Sequence, residues 1–400
     1  MTLRSASPTT TARDTTRAGA NRITERDCNL DDFIALTERT TDLADYPHAA
    51  STERGVLFYD SAAVSATTGE ARELLADELA DALLNGPGIV VFAGAFDDRH
   101  GLAETTALFD RIIADQNAAG VSNGDHFAKP GANDRVWNAL QKFAERDPEL
   151  FSRYYANDVL ALISQAWLGP WYQVTSAVNV VNPGGAAQNP HRDYHLGFMS
   201  TDTAATFRAH VHRLSPALTL QGAVAHVDMP IESGPTMYLP YSQTYEAGYL
   251  AFNLPEFREY FAQNYVQLPL SAGDAVFFNP ALFHAAGHNT SSDIKRMANL
   301  LQVSSAFGRA MDSVDRSAIM RWIYPALRRR TAEGDTRGVA NAIAASAEGY
   351  AFPSNLDLDQ PITGLTGESQ AQLLARALAD DFDEARFDQE LSALDARHIP

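Results

Sequence analysis

The feature that most constrains this chain is a change of hydrophobic period at Trp171. Before it, apolar residues recur at helical spacing over 69–84 (GEARELLADELADALL), which Asn85-Gly86-Pro87-Gly88 ends, and again over 102–118 and 148–167. A short β-branched run at 89–93 (IVVFA) reads as a strand within this helical part. From Trp171 the pattern becomes short β-type runs: WYQVTSAVNVV, TFRAHVHRL, ALTLQGAVAHVDM, TMYLP, AVFF and MANLLQVSSAF. Gly, Pro, Asn and Ser separate them, and helical segments around 243–250 and 256–264 interrupt them. Several short strands with turn signals argue for a sandwich or jelly roll. From about residue 313 the helical period returns, ending in an acidic amphipathic helix over 369–394.

Composition narrows the function. The chain has 400 residues, 45% hydrophobic and 20% charged, enough to bury a sizeable core. No apolar window reaches the ~18 residues of a membrane-spanning helix, and the first residues lack the apolar centre of a secretory signal, so a cytoplasmic protein without a membrane partner is expected. The Arg-, Ser- and Thr-rich start reads as a disordered tail over 1–30. A main unit over 31–310 follows, with its β core at about 171–308, and then a helical extension over 311–400. A single cysteine, Cys28, excludes an internal disulfide framework and any Cys-based zinc cluster, so a bound metal must rest on His and carboxylates. With 31 basic and 50 acidic residues the net charge is −19, which repels nucleic acid.

The informative segment is Gln188-Asn189-Pro190-His191-Arg192-Asp193-Tyr194-His195, directly after a strand-like run and its Pro183-Gly184-Gly185 turn. In a strand, residues two apart face the same side, so His191 and Asp193 can present an imidazole and a carboxylate to one ion. A third ligand stands in the later block Asn279–Ser291, which holds His284 and His288. Two His and one Asp make the facial triad of non-haem Fe(II) oxygenases, which leaves positions for a co-substrate and O2. Arg296 follows in a strand-like run, and a buried guanidinium is the partner a desolvated dicarboxylate needs.

Taken together, three blocks resemble the phytanoyl-CoA dioxygenase family of Fe(II)- and 2-oxoglutarate-dependent oxygenases. They are His191-Arg192-Asp193-Tyr194, then Glu232-Ser233-Gly234-Pro235-Thr236-Met237-Tyr238-Leu239-Pro240, then Gly273–Phe278 with His284–Ser291 and Arg296. The resemblance implies a mainly β core, a cupin-like double-stranded β-helix (jelly roll) with flanking α-helices at both ends. It implies iron on His191, Asp193 and His284, the 2-oxoglutarate C5 carboxylate on Arg296, and support for the co-substrate from Thr236 and from Gln188 or Asn189. No catalytic residue is expected beyond the metal site. The implied reaction is hydroxylation or desaturation of an unactivated C–H bond in a small organic molecule, with release of succinate and CO2. Halogenating relatives carry Gly or Ala at the carboxylate position, so Asp193 implies no halogenation. Two departures bear on the substrate: Pro240-Tyr241-Ser242-Gln243 replaces the usual Pro-Gly-Ser-His, and the helical part after 313 is longer than in a typical member.

Other candidates have simpler readings. The family pattern favours His284 over His288. His210 and His212 alternate with Ala209 and Val211 as a solvated or pocket-lining pair on a strand, His195 and Tyr194 read as structural or pocket-lining, and His226-x-Asp228 repeats the metal spacing without a supporting block. Arg328-Arg329-Arg330 reads as an exposed helix end, and the acidic helix near Asp380 as a solvated face or homo-oligomer contact. The rival functions are a Zn2+ or Mn2+ hydrolase or isomerase on the same ligands, and a non-enzymatic metal-binding module.

Overall fold

The computed structural model describes residues 21–120, 132–197, 199–361 and 364–399. Residues 1–20 of the expected tail lie outside the described residues. The strands are β1 (Ser51–Glu53), β2 (Val56–Asp60), β3 (Ile89–Ala93), β4 (Asn133–Val136), β5 (Gln173–Val181), β6 (Thr219–Ala225), β7 (Met237–Leu239), β8 (Val266–Gln267), β9 (Ala275–Phe278), β10 (Phe283–Ala285) and β11 (Arg296–Ser304). Eight form one sheet in the order β1-β2-β3-β9-β6-β11-β5-β4, and three form a second in the order β10-β7-β8. Only β2 and β3 run parallel.

Alternation along the central strands separates two environments. On β11, Met297, Leu301 and Val303 enter the main core while Arg296, Ala298, Leu300 and Gln302 face a cavity. On β6, Leu220 and Val224 point to the core, and Gln221, Ala223 and Ala225 to the cavity. The period of two thus gives the large sheet one face for helices and one for a binding chamber. The small sheet closes that chamber from the other side through Tyr238 and His284. This is the double-stranded β-helix the sequence implied, with helices at both ends of the chain.

The core behind the large sheet is continuous from Tyr46 to Leu394. It takes in helices Gly69–Leu84 and Asp158–Leu168 from the first half, and Arg316–Ala332, Thr336–Ser346, Gln370–Ala379 and Glu384–His398 from the end. Helices 69–84 and 102–118 and the strand at 89–93 fall where the pattern put them.

Three readings are corrected. Residues 206–214 are not a strand: Ala209–Leu214 is a short helix that buries Ala209 and His212, three apart, on one face. A six-residue window does not separate a period of two from 3.6, and packing against Tyr194 and Tyr249 decides it. The 148–167 helix is two, because Asn157 leaves the helix to accept from Leu160 N and to donate to Ala95 O. The 369–394 helix is also two, broken where Asp381 takes a left-handed conformation and Asp383 caps the second helix. The stretch before residue 67 is ordered where described, with helix Leu30–Thr37, β1, β2 and helix Ser61–Ala66.

One buried polar chain ties this core together. Asn299 Nδ2 donates to the Tyr154 hydroxyl, which donates to His226 Nε2; His226 Nδ1 donates to Thr106 Oγ1, which donates to Leu102 O. Every bond is satisfied only with a neutral imidazole, and burial pushes His226 down to about 3 from an ordinary 6.5. Between those values the unfolded chain holds a proton that the folded one lacks, so stability falls as pH drops through that window. His226→Gln should flatten this acid slope by up to about 1.4 kcal/mol per pH unit in urea unfolding between pH 6.5 and 4. An unchanged slope would show that His226 titrates without opposing the fold.

Candidate metal centre

The chain leaves β5 at Val181 and turns at Gly184, whose φ of +82° suits glycine. It then runs back along the segment around β10. Gly184 N donates to Asn289 O, Asn289 N to Gly185 O, Gln188 N to Ala286 O and Asp193 N to Pro280 O, while His191 and His284 exchange both backbone bonds at 3.0 and 3.1 Å. The Asn289 amide donates to Val181 O and Ile294 O and locks the far end. A residue carrying a candidate ligand on one segment is therefore held directly opposite a candidate on the other.

His191, Asp193 and His284 offer ligand atoms that all lie within 4.8 Å of one another. His191 Nε2 stands 3.8 Å from Asp193 Oδ1, and His284 Nε2 3.7 Å from Asp193 Oδ2. Both imidazoles donate Nδ1–H to the carbonyl two residues earlier, His191 to Asn189 O at 3.1 Å and His284 to Leu282 O at 2.8 Å. That fixes the tautomer and turns each Nε2 lone pair toward the carboxylate, as in metal sites whose ligands are oriented by an outer layer of hydrogen bonds. Burial, reinforced by the neighbouring His191, pushes His284 down to about 4 and keeps it neutral. Such a donor set of two imidazoles and one carboxylate suits a divalent iron.

Two residues that sequence reasoning passed over complete the frame. Gln221 on β6 donates Nε2–H to Asp193 Oδ2, and its own Oε1 is buried without a partner. Nothing local marks Gln221, since its role comes from the register that sets β6 across the sheet. Arg192, between the two ligands, points the opposite way and is buried under Tyr249 and Phe283, donating to the carbonyls of Tyr245 and Ser242. Gly248 makes room for it, since a Cβ there would lie 2.1 Å from the guanidinium carbon.

The triad opens into a cavity of about 440 Å3 that also holds Arg296, Thr236, Tyr238 and Gln188. Arg296 is buried, and its Nη1 has no partner. Burial pulls it down to about 10, so it stays cationic at neutral pH. Thr236 and Tyr238 share the same wall. Gln188 reaches the cavity while its Oε1 accepts from Ala286 N. Asn189 lines a second chamber, and its carbonyl orients His191.

The remaining candidates stand apart. His288 is exposed. His195 is tied by Thr219 Oγ1 and Arg309 N, and His212 by the Tyr194 hydroxyl, while His210 is exposed on the short helix. His226 belongs to the core chain above. Arg328, Arg329 and Arg330 pair with Asp381, Glu149 and Asp335, which leaves no anion clamp there.

Fold and site define a class: this is an Fe(II)- and 2-oxoglutarate-dependent enzyme on a double-stranded β-helix. A family model for phytanoyl-CoA dioxygenase matches residues 84–297, and the chain belongs to that family. Among solved structures it is similar to the non-heme alpha ketoglutarate dependent epimerase SnoN from nogalamycin biosynthesis, at 21% identity over 58% of this chain and 81% of that one, TM-score 0.40. It is also similar to the carbocyclase SnoK of the same biosynthesis (21%, 61% and 86%, TM-score 0.40) and to EvdMO1 (19%, 57% and 50%, TM-score 0.42). No curated protein matches its sequence.

Replacing His191, Asp193 or His284 by Ala should abolish or severely weaken Fe(II) binding, measured by anaerobic titration, because two remaining ligands hold Fe(II) poorly. His288→Ala should bind as the parent does. Iron binding lost in His288→Ala and kept in His284→Ala would reassign the third ligand.

Proposed function

We propose that this enzyme hydroxylates or desaturates an unactivated C–H bond of a small organic molecule, with iron on His191, Asp193 and His284 and the 2-oxoglutarate C5 carboxylate on Arg296. One observation carries the reading: a three-ligand cluster and a buried guanidinium with an unpartnered Nη1 face the same cavity. A desolvated cation without a counter-ion is costly, and a dicarboxylate is the partner that relieves it in a bidentate way.

When bound, iron and 2-oxoglutarate together supply O2 activation coupled to oxidative decarboxylation of the co-substrate to succinate and CO2. The chain's own part is positioning and exclusion of water. His191 and His284 present oriented lone pairs, and Gln221 occupies one oxygen of Asp193, leaving the other for the metal. Thr236 and Gln188 line the co-substrate's side of the cavity. Asp193 itself fills the coordination position a halide would need. We carry forward a 31–310 oxygenase unit with a 311–400 extension packed on it, a cytoplasmic location and an oligomer contact through the C-terminal helices as parts of the same proposal. Among the described residues, no helix is long and apolar enough to cross a membrane.

The test is conversion of 2-oxoglutarate to succinate by the iron-loaded protein, with 18O2 labelling and product mass spectrometry under excess chloride. An oxygenated or desaturated product is expected, and a chlorinated product would refute both the role of Asp193 and the reaction class. Arg296→Ala should lower the affinity for 2-oxoglutarate by roughly two orders of magnitude, the usual consequence of leaving a buried ion pair half-made. Equal affinity in parent and variant would remove Arg296 from this role.

A further inference from the structure

Beside the triad lies a second chamber of about 600 Å3 that shares His191, Gln188, Asn179 and Ala286 with the metal cavity. Its walls are chemically unlike the rest of the protein. In a chain with 50 acidic residues and a net charge of −19, no Asp or Glu lines it among the described residues. Its polar part is mostly carboxamide, Asn133, Asn179, Gln188, Asn189 and Asn253, set beside an apolar part that includes Val181, Met199 and Phe252.

Among the described residues, the one arginine or lysine on these walls is Arg258, from helix Pro255–Asn264. The Asn253 side-chain oxygen accepts from its Nη2 and fixes the guanidinium plane. Its Nε is buried without a partner, and no carboxylate lies within ion-pair distance among the described residues. Five surface arginines, Arg146, Arg213, Arg321, Arg328 and Arg329, pair with a carboxylate, and others such as Arg54 and Arg208 donate to backbone carbonyls in the open; Arg258 differs from both in lining a chamber. A half-buried, oriented guanidinium with free donors and no counter-ion matches an anionic oxygen group.

We propose that this chamber is the substrate subsite, and that it takes a molecule bearing a carboxylate or phosphate group, whose acid oxygens pair with Arg258 while its neutral polar groups meet the carboxamide wall. The position beside His191 sets the reactive carbon of such a molecule toward the metal side. This inference rests on the oxygenase reading above and names the substrate class for it.

The probe is a matched panel of small carboxylic acids and phosphate monoesters, each with its neutral methyl ester, amide or alcohol. These are added anaerobically to protein loaded with Fe(II) and 2-oxoglutarate, and binding is read from perturbation of the Fe(II)–2-oxoglutarate charge-transfer absorption. Responses confined to acids or to phosphates are expected, and which of the two respond identifies the anion. In Arg258→Gln the dissociation constants of responding compounds should rise by about tenfold or more, as for loss of a hydrogen bond to a charged group. Arg258→Lys should recover part of this, and 2-oxoglutarate affinity should stay unchanged in both. Neutral members binding as well as their anionic counterparts, responding anions binding Arg258→Gln as tightly as the parent, or no response to any carboxylate or phosphate from a parent that shows the absorption would each overturn the inference. Absence of the absorption in the parent would instead overturn the oxygenase reading on which it stands.

Discussion

The whole site depends on a run of backbone hydrogen bonds between residues 184–193 and 280–289. These pair segments that are distant in sequence, and the pair of bonds exchanged by His191 and His284 lies within it. The spacing of the candidate ligands is therefore set by peptide geometry, independently of any ion. Each imidazole is then turned by a carbonyl two residues upstream on its own chain. Three polar side chains held this close would be costly to leave without a cation, and burial of His284 removes one charge from the cluster before an ion arrives. A cluster arranged in this way binds metal with little reorganisation of the protein.

The volume of the chamber follows from side-chain size along the same strands. The cavity face of β6 and β11 carries Ala223, Ala225 and Ala298, and Gly222 lies against the Phe277 ring so closely that a Cβ would sit 2.5 Å from it. Phe92, Phe277, Leu220 and Leu301 take the opposite face and make the core solid. Small residues inside and large ones outside let one sheet support both a rigid backing and an open interior.

Much of this was legible in the sequence, for reasons that differ by residue. His191, Asp193, His284 and Arg296 could be singled out as candidates because residue type and the order of the three blocks are readable along the chain, whereas their meeting at one cavity rests on the pairing of distant segments. The jelly-roll class was visible in the run of short strands after Trp171. Gln221 was not legible, because a glutamine on a strand acquires its partner only through cross-sheet register. Arg258 was silent for a similar reason: its meaning lies in the lack of a carboxylate around it, which only the folded neighbourhood defines. The 206–214 segment misled because its alternation is real, yet His212 is drawn inward to Tyr194 on a helical turn.

The strand order also has a temporal side. β3 is made early, yet its antiparallel neighbour β9 comes near residue 275, and β5 waits for β11 near residue 296. At ordinary rates of translation, the delay between β3 and β9 is on the order of ten seconds or more. During that time Ile89–Ala93 has parallel β2 and the helix Gly69–Leu84 beside it and lacks its antiparallel neighbour, which leaves one strand edge unpaired. His284 is made well after His191, and the helices between Arg316 and His398 that cover the back of the sheet are made later still. A nascent chain of this kind brings its candidate ligands together before the back of its sheet is covered.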